Sequence, residues 1–177
     1  MADRRPIQQA HERAFVDYFL DWFNRAYHSD FKVISEPNPP EAVIRSSRTT
    51  RWVEVSTAFW NEQYAKDLYS LATPGEAHKS VGNGPFQDMD NFFSGNFVSV
   101  VKKKLEKKSY IPWRDKYGPG YLVLPIKYPW FDGKTVACMR DRWAATTINI
   151  LGCFRGIYMA CPSPSGKGIK LCRWTSK

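Results

Sequence analysis

The chain has 177 residues, 43% of them hydrophobic and 15% aromatic, enough to bury a core without disulfide or metal staples and too apolar for an intrinsically disordered chain. Its 26 lysines and arginines against 17 acids give a formal charge of +9, a field that favours polyanions such as nucleic acid. No stretch approaches the roughly 20 apolar residues of a membrane span, and Met1-Ala2-Asp3-Arg4-Arg5-Pro6 leads into an amphipathic segment rather than a signal-peptide core, so the expectation is one cytoplasmic domain over residues 1–177 with no membrane partner.

Ile7 to Tyr27 is predicted as a helix, because Ala14, Phe15, Tyr18, Phe19, Trp22, Phe23 and Ala26 fall on one stripe at helical spacing. Gln8, His11 and Glu12 share that arc, so the sheet-facing side turns polar at its N-terminal end. A carboxylate there costs desolvation unless it is paired or binds metal; a glutamate favoured by the helix dipole is the plainer alternative. Phe31–Ser35 is a first strand, ended by the prolines at 37, 39 and 40. Two further β-like runs, Pro40–Ile44 and Arg51–Ser56, are joined by Arg45-Ser46-Ser47-Arg48-Thr49-Thr50. A hairpin turning symmetrically about Ser47 and Arg48 sets Glu41 opposite Glu54. Like charges so placed destabilise a sheet, which points to a cation between them, and a divalent metal with oxygen ligands is the economical candidate. The period of two puts Trp52, Glu54 and Ser56 on one face and Val53, Val55 and Thr57 on the other.

Asn61 to Leu71 is a short helix broken by Thr73-Pro74-Gly75. Glu76 to Gln87, rich in Gly, Pro and small polar residues, is a surface loop and the candidate flap. Asp88 or Asp90 caps a second long helix with the apolar stripe Phe93, Phe97, Val100, Val101 and Leu105, and Lys102, Lys103, Lys104, Lys107 and Lys108 crowd its C-terminal half. That lysine run is either a solvated face or a phosphate contact. Tyr121–Ile126 has the pattern of a strand buried on both faces, with Pro125 marking an end or a bulge. A helix opens at Asp132 or Gly133 and runs to about Ile150, and Phe154–Cys161 with Ile169–Trp174 form two terminal strands. Cys138, Cys153, Cys161 and Cys172 lack the close spacing of metal or redox motifs and read as free thiols. Most aromatics suit a core; Trp52, Trp113, Trp130 and Trp174 are the candidates for base stacking.

This order of elements, with Pro40-Glu41 opening the second strand and Glu54-Val55-Ser56 in the third, resembles the PD-(D/E)XK nuclease superfamily. The resemblance implies a restriction-endonuclease-like αβββαβ core over about 7–126, a mixed central sheet flanked by helices, and a C-terminal helix and β-hairpin over about 127–177. It implies Glu41 and Glu54 as ligands of Mg²⁺ or Mn²⁺, a Val55 carbonyl as a further ligand, and Glu12 as the extra acid that many members supply from the first helix. Glu41 stands where aspartate is usual, and Ser56 occupies the motif-lysine position. A lysine from the helix would then stabilise charge; spacing does not choose among Lys102, Lys103 and Lys104, and Lys103 stands for the run as the catalytic candidate. Arg45, Arg48, Arg51, Lys102 and Lys104 are candidates for backbone-phosphate contacts, with pairing of the arginines to Glu41 and Glu54 as their alternative.

The expected function is metal-dependent hydrolysis of phosphodiester bonds, in DNA ahead of RNA, with homodimerisation left open. A nuclease-fold protein that binds nucleic acid without catalysis, and an interaction module whose basic face meets an acidic partner, are the competing classes.

Overall fold

In the computed structural model the described residues are 5–81, 87–146, 152–163 and 168–174. The chain runs α1 (Arg5–Tyr27), β1 (Lys32–Ser35), β2 (Ala42–Arg45), β3 (Thr50–Val55), β4 (Ala58–Phe59), α2 (Glu62–Ala72), α3 (Met89–Leu105), a 3-10 turn (Lys108–Tyr110), α4 (Ile111–Tyr117), β5 (Gly120–Lys127), α5 (Gly133–Ala144), β6 (Phe154–Pro162) and β7 (Ile169–Arg173). The result is an α/β architecture: five helices against one open, mixed sheet of seven strands in the order β1-β2-β3-β5-β6-β7, with β4 paired to β5. Strands β1, β2 and β3 form an antiparallel meander, β5 lies parallel to β3 and β6, and β7 closes the far edge antiparallel to β6.

Alternation along the strands builds two cores. On one face Phe15, Val16, Phe19, Leu20 and Phe23 of α1 pack on Ile44, Val53, Val55, Tyr121, Val123 and Tyr158. On the other, Phe93, Phe97 and Val101 of α3 and Met139 of α5 pack on Trp52, Leu122, Leu124, Ile126 and Ile157. Strand β5 is buried on both sides, as its apolar run predicts, because both its main neighbours are parallel strands and helices cover both faces.

Pro125 sits inside β5 rather than at its end. The carbonyls of Val123 and Lys127 both accept bonds from the β3–β4 side, from Ser56 N at 2.9 Å and Trp60 N at 3.0 Å. By alternation Pro125 turns its missing donor to that same side, where the ladder is already interrupted between Val55 and Ala58. The chain therefore leaves the sheet at Ser56 and Thr57, at the mouth of the pocket described below.

Three expectations change. Asp88 holds the N-cap position of α3 in a left-handed conformation, and its carboxylate accepts from Asn91 rather than capping a backbone N–H. Asp90 instead ties α3 to α5, accepting from Tyr128 and Thr135 hydroxyls. The lysine-rich helix is shorter than expected: it ends at Leu105, so Lys107 and Lys108 fall beyond it, and the 3-10 turn and α4, with Pro112 in its first turn, follow. Helix α5 is capped by Asp132 as expected but ends at Ala144, with Ala145 as its C-cap, rather than near Ile150; 147–150 lie outside the described residues. The proposed flap is likewise described only in part, and Lys79 N there donates to Ser70 Oγ of α2. All four cysteines are free thiols, and no described helix is long and apolar enough to cross a membrane.

Gly120 fixes how β5 meets β3. A Cβ at this position would fall inside the indole of Trp52, which is fully buried and pinned by a 3.0 Å bond from Nε1 to the Gly118 carbonyl. Gly120→Ala is expected to destabilise the protein by about 1–3 kcal/mol through overpacking, read from urea denaturation; a change below about 0.5 kcal/mol would contradict this packing.

Candidate functional site

The β2–β3 register pairs Ala42 with Val53 and Arg45 with Thr50, so Glu41, one residue before β2, stands opposite Glu54. Glu54 points with Trp52 into the α3 side of the sheet and is 1% exposed. Its Oε1 accepts from Lys104 Nζ and from the Tyr110 hydroxyl, each at 2.5 Å. Its Oε2 is buried with no donor. Glu41 Oε2 accepts from Val55 N at 2.9 Å, and the Glu41 carboxyl lies within hydrogen-bonding reach of that of Glu54. Burial, and then the facing Glu54, push Glu41 up to about 8, against the pull of the Val55 N–H. Near neutral pH the two groups thus hold a proton between them.

These side chains form one wall of a pocket of about 430 Å³, closed by Gln8 and Glu12 of α1, Asn38 and Pro39, Ser56, Thr57 and Phe59, Tyr69 of α2, and Lys104 and Lys107. Glu12 accepts from Gln8 Nε2 at 2.8 Å. Its pKa is raised by burial, with Glu54 adding to the rise and Lys104 opposing it. Tyr69 rises through burial and the field of Glu12, so α2 also faces the acids. Among the described residues no three His, Cys, Asp or Glu side chains are drawn together closely enough to hold an ion. Glu12 stands on the α1 wall of the same pocket, its carboxylate turned to Gln8. The donor set nonetheless fits Mg²⁺ or Mn²⁺: two facing carboxylates and an orphaned, buried oxygen on Glu54 match a cation that commonly takes one or two carboxylates and completes its shell with water and substrate oxygens.

Of the lysine run, the structure brings Lys104 to the carboxylates and leaves Lys103 outside the pocket, exposed on α3. The reason is helical rotation at about 100° per residue. Lys104 is three residues past Val101 and seven past Phe97, on the buried stripe, whereas Lys103 projects away from it. Lys102 is exposed and pairs with Glu106 at 3.9 Å. A lysine in phase with an apolar stripe was a signal present in the sequence.

The arginines do not pair with Glu41 or Glu54. Arg45 lies four residues along the ladder from Glu41, ~13 Å at about 3.3 Å per residue, and donates to Thr50 Oγ1. Arg48 is exposed in the turn. Arg51 alternates to the face opposite Glu54 and donates to the carbonyls of Thr50 and Tyr117. Trp52 offers no stacking surface either, since Tyr110 stacks on it at 5.4 Å and Phe154 packs at 5.0 Å. Trp113 and Trp174 are partly buried, and Trp130, 46% exposed, meets Trp60 edge-on.

Tyr110 is the residue sequence reasoning missed. The turn that ends in it brings its hydroxyl into the core, 2.5 Å from Glu54. Pro112, a residue favoured in the first turn of a helix, was the available sign that a new helix starts here. Lys107 comes to the same place, its ammonium 5.0 Å from the Tyr110 ring centroid. No family model, curated protein or solved structure matches this chain.

Two measurements check this geometry. Tyr110→Phe removes one of the two donors of a buried carboxylate oxygen and is expected to cost about 1–3 kcal/mol in denaturant unfolding; an unchanged midpoint would contradict it. A carboxyl whose folded pKa stands at about 8 against an ordinary 4.5 stabilises the fold fully below pH 4.5 and loses that contribution as pH rises through about 8. Chelator-treated protein should therefore lose stability across this window, and Glu41→Gln should flatten the loss; parallel pH profiles would refute the paired-carboxyl reading.

Proposed function

We propose that this protein is a metal-dependent nuclease of the PD-(D/E)XK type acting on DNA, with Glu41 and Glu54 as the metal-holding pair and Lys104 in the role of the absent motif lysine. The observation that carries the reading is the 2.5 Å contact of Lys104 Nζ with Glu54 Oε1, beside the Ser56 that takes the lysine position. The order of elements supports it: α1 covers the meander β1–β3, and α3 crosses over the opposite face before β5 joins β3 in parallel.

A bound Mg²⁺ or Mn²⁺ supplies neutralisation of charge on the scissile phosphate and a lowered pKa for an attacking water. The protein's own groups do the rest. Glu41 and Glu54 hold the ion; the Val55 N–H orients Glu41, and the Tyr110 hydroxyl orients Glu54. The Lys104 ammonium, 23% exposed, offers a fixed positive charge to an oxygen of the phosphate in a partly dry pocket, where it acts more strongly than in water. Glu12 adds a third negative charge on the α1 wall, suited to orienting a water rather than to ligation. Lys107 at the pocket, Lys102 and Lys103 on α3, and Arg45 and Arg48 at the hairpin tip are the groups we assign to backbone phosphates, positioning the strand without reading its sequence.

Purified protein with Mn²⁺ or Mg²⁺ is expected to cleave DNA. Glu54→Ala should abolish cleavage, Lys104→Ala should lower the rate about 10²–10³-fold, and Lys103→Ala should change it by less than about fivefold, as for a screened surface charge. Equal losses at Lys103 and Lys104 would remove Lys104 from its role. The absence of cleavage with every nucleic acid and metal tried would favour the second reading, to which Ser56 points: salt-dependent nucleic-acid binding that survives Glu54→Ala.

A further inference from the structure

A second pocket, of about 250 Å³, lies at the other end of α1, lined by Phe23, Tyr27, Tyr121, Arg155, Tyr158 and Arg173. Tyr27 is ~22 Å along the helix from Glu12 at 1.5 Å per residue, so this pocket is separate from the carboxylate site. Four aromatic rings form its body: Phe23 lies 4.5 Å from Tyr27 and 5.0 Å from Tyr121 between centroids, and Tyr121 lies 6.0 Å from Tyr158. The hydroxyls of Tyr27 and Tyr158 lie within hydrogen-bonding reach of each other. Tyr27 is 48% exposed, with its ring against Phe23 and, edge-on, Trp22.

The charge here is one-sided. Arg155 on β6 and Arg173 at the end of β7 are both exposed, and the Tyr121 hydroxyl feels their guanidinium groups together with that of Arg51. No carboxylate lines the pocket, and among the described residues neither Arg155 nor Arg173 makes an ion pair, whereas Arg13, Arg25 and Arg114 pair with Asp17, Asp21 and Asp115. Converging cations without a counter-charge repel one another, and the planar guanidinium fork matches phosphate oxygens two at a time. Open aromatic faces accept a nucleobase by stacking.

We propose that this pocket binds a nucleotide, its base stacked on Tyr27 and its phosphate held by Arg155 and Arg173. The ligand is either a free mononucleotide or one unit of a single strand, two sources of the same chemistry. The inference does not depend on the nuclease reading, since none of its residues lies in the carboxylate pocket.

Calorimetric titration of the full chain at low salt, with chelator present to prevent cleavage, tests it. The probes are adenosine 5′-monophosphate, adenosine, inorganic phosphate and single-stranded hexadeoxyadenylate. The monophosphate is expected to bind, and adenosine and phosphate each to bind at least about tenfold more weakly, because each offers half of the recognised group. Arg155→Ala with Arg173→Ala should weaken the monophosphate at least about tenfold and Tyr27→Leu several-fold, while Arg155→Lys with Arg173→Lys, which keeps the charge and loses the fork, should fall between. Glu54→Gln should leave binding unchanged. An oligonucleotide tighter than the monophosphate identifies a strand as ligand, and one no tighter identifies the free nucleotide; both support the site. Phosphate binding as tightly as the nucleotide, binding indifferent to the arginine and Tyr27 variants, or no binding of monophosphate or oligonucleotide would overturn it.

Discussion

The burial of the Glu54 carboxylate is the constraint around which this structure is arranged. A charge 1% exposed costs several kcal/mol unless it is paired and hydrogen-bonded, and the chain meets that cost from three directions. Helix α3 brings an ammonium, the turn after it brings a phenol, and the opposite strand brings a second carboxyl. The last of these is the informative one. A fold selected for stability alone would put an apolar residue or a cation opposite Glu54, not Glu41, and this proton-sharing pair is the feature on which the proposed metal site rests.

The interruption of the sheet beyond β3 matters to the same end. Because the ladder to β5 lapses at Ser56 and Thr57, at the level of Pro125, the pocket opens where the edge between two strands would otherwise be filled. Helix α1 then contributes its polar first turns, Gln8 to Glu12, beside this opening, and its aromatic later turns to the core. One helix thus serves both as cover for the sheet and as a wall of the site.

Much of this was legible in the sequence. The symmetric turn about Ser47 and Arg48 correctly set the register that opposes Glu41 and Glu54, because period-two strands with a short connection leave little freedom. The doubly buried β5 followed from its near-continuous apolar run. Residues whose position depends on contacts distant in sequence were not legible in the same way. Tyr110 reaches Glu54 across 56 residues, and only the turn geometry between α3 and α4 delivers it. Trp52 shares a face with Glu54 as alternation requires, yet it is roofed by Tyr110 and Phe154, which no local pattern reveals. The choice of Lys104 over Lys103 lay between these cases: helical phase encoded it, but only relative to a stripe whose burial depends on the packed sheet.

The most direct test of the account is a crystal of the wild-type protein soaked in Mn²⁺ and measured at a wavelength where manganese scatters anomalously. The account predicts an anomalous peak bound by both Glu41 and Glu54 at ordinary metal–oxygen distances, about 2.0–2.2 Å, with the Lys104 ammonium still beside it. A saturating soak that leaves the space between the two carboxylates without anomalous density would contradict it.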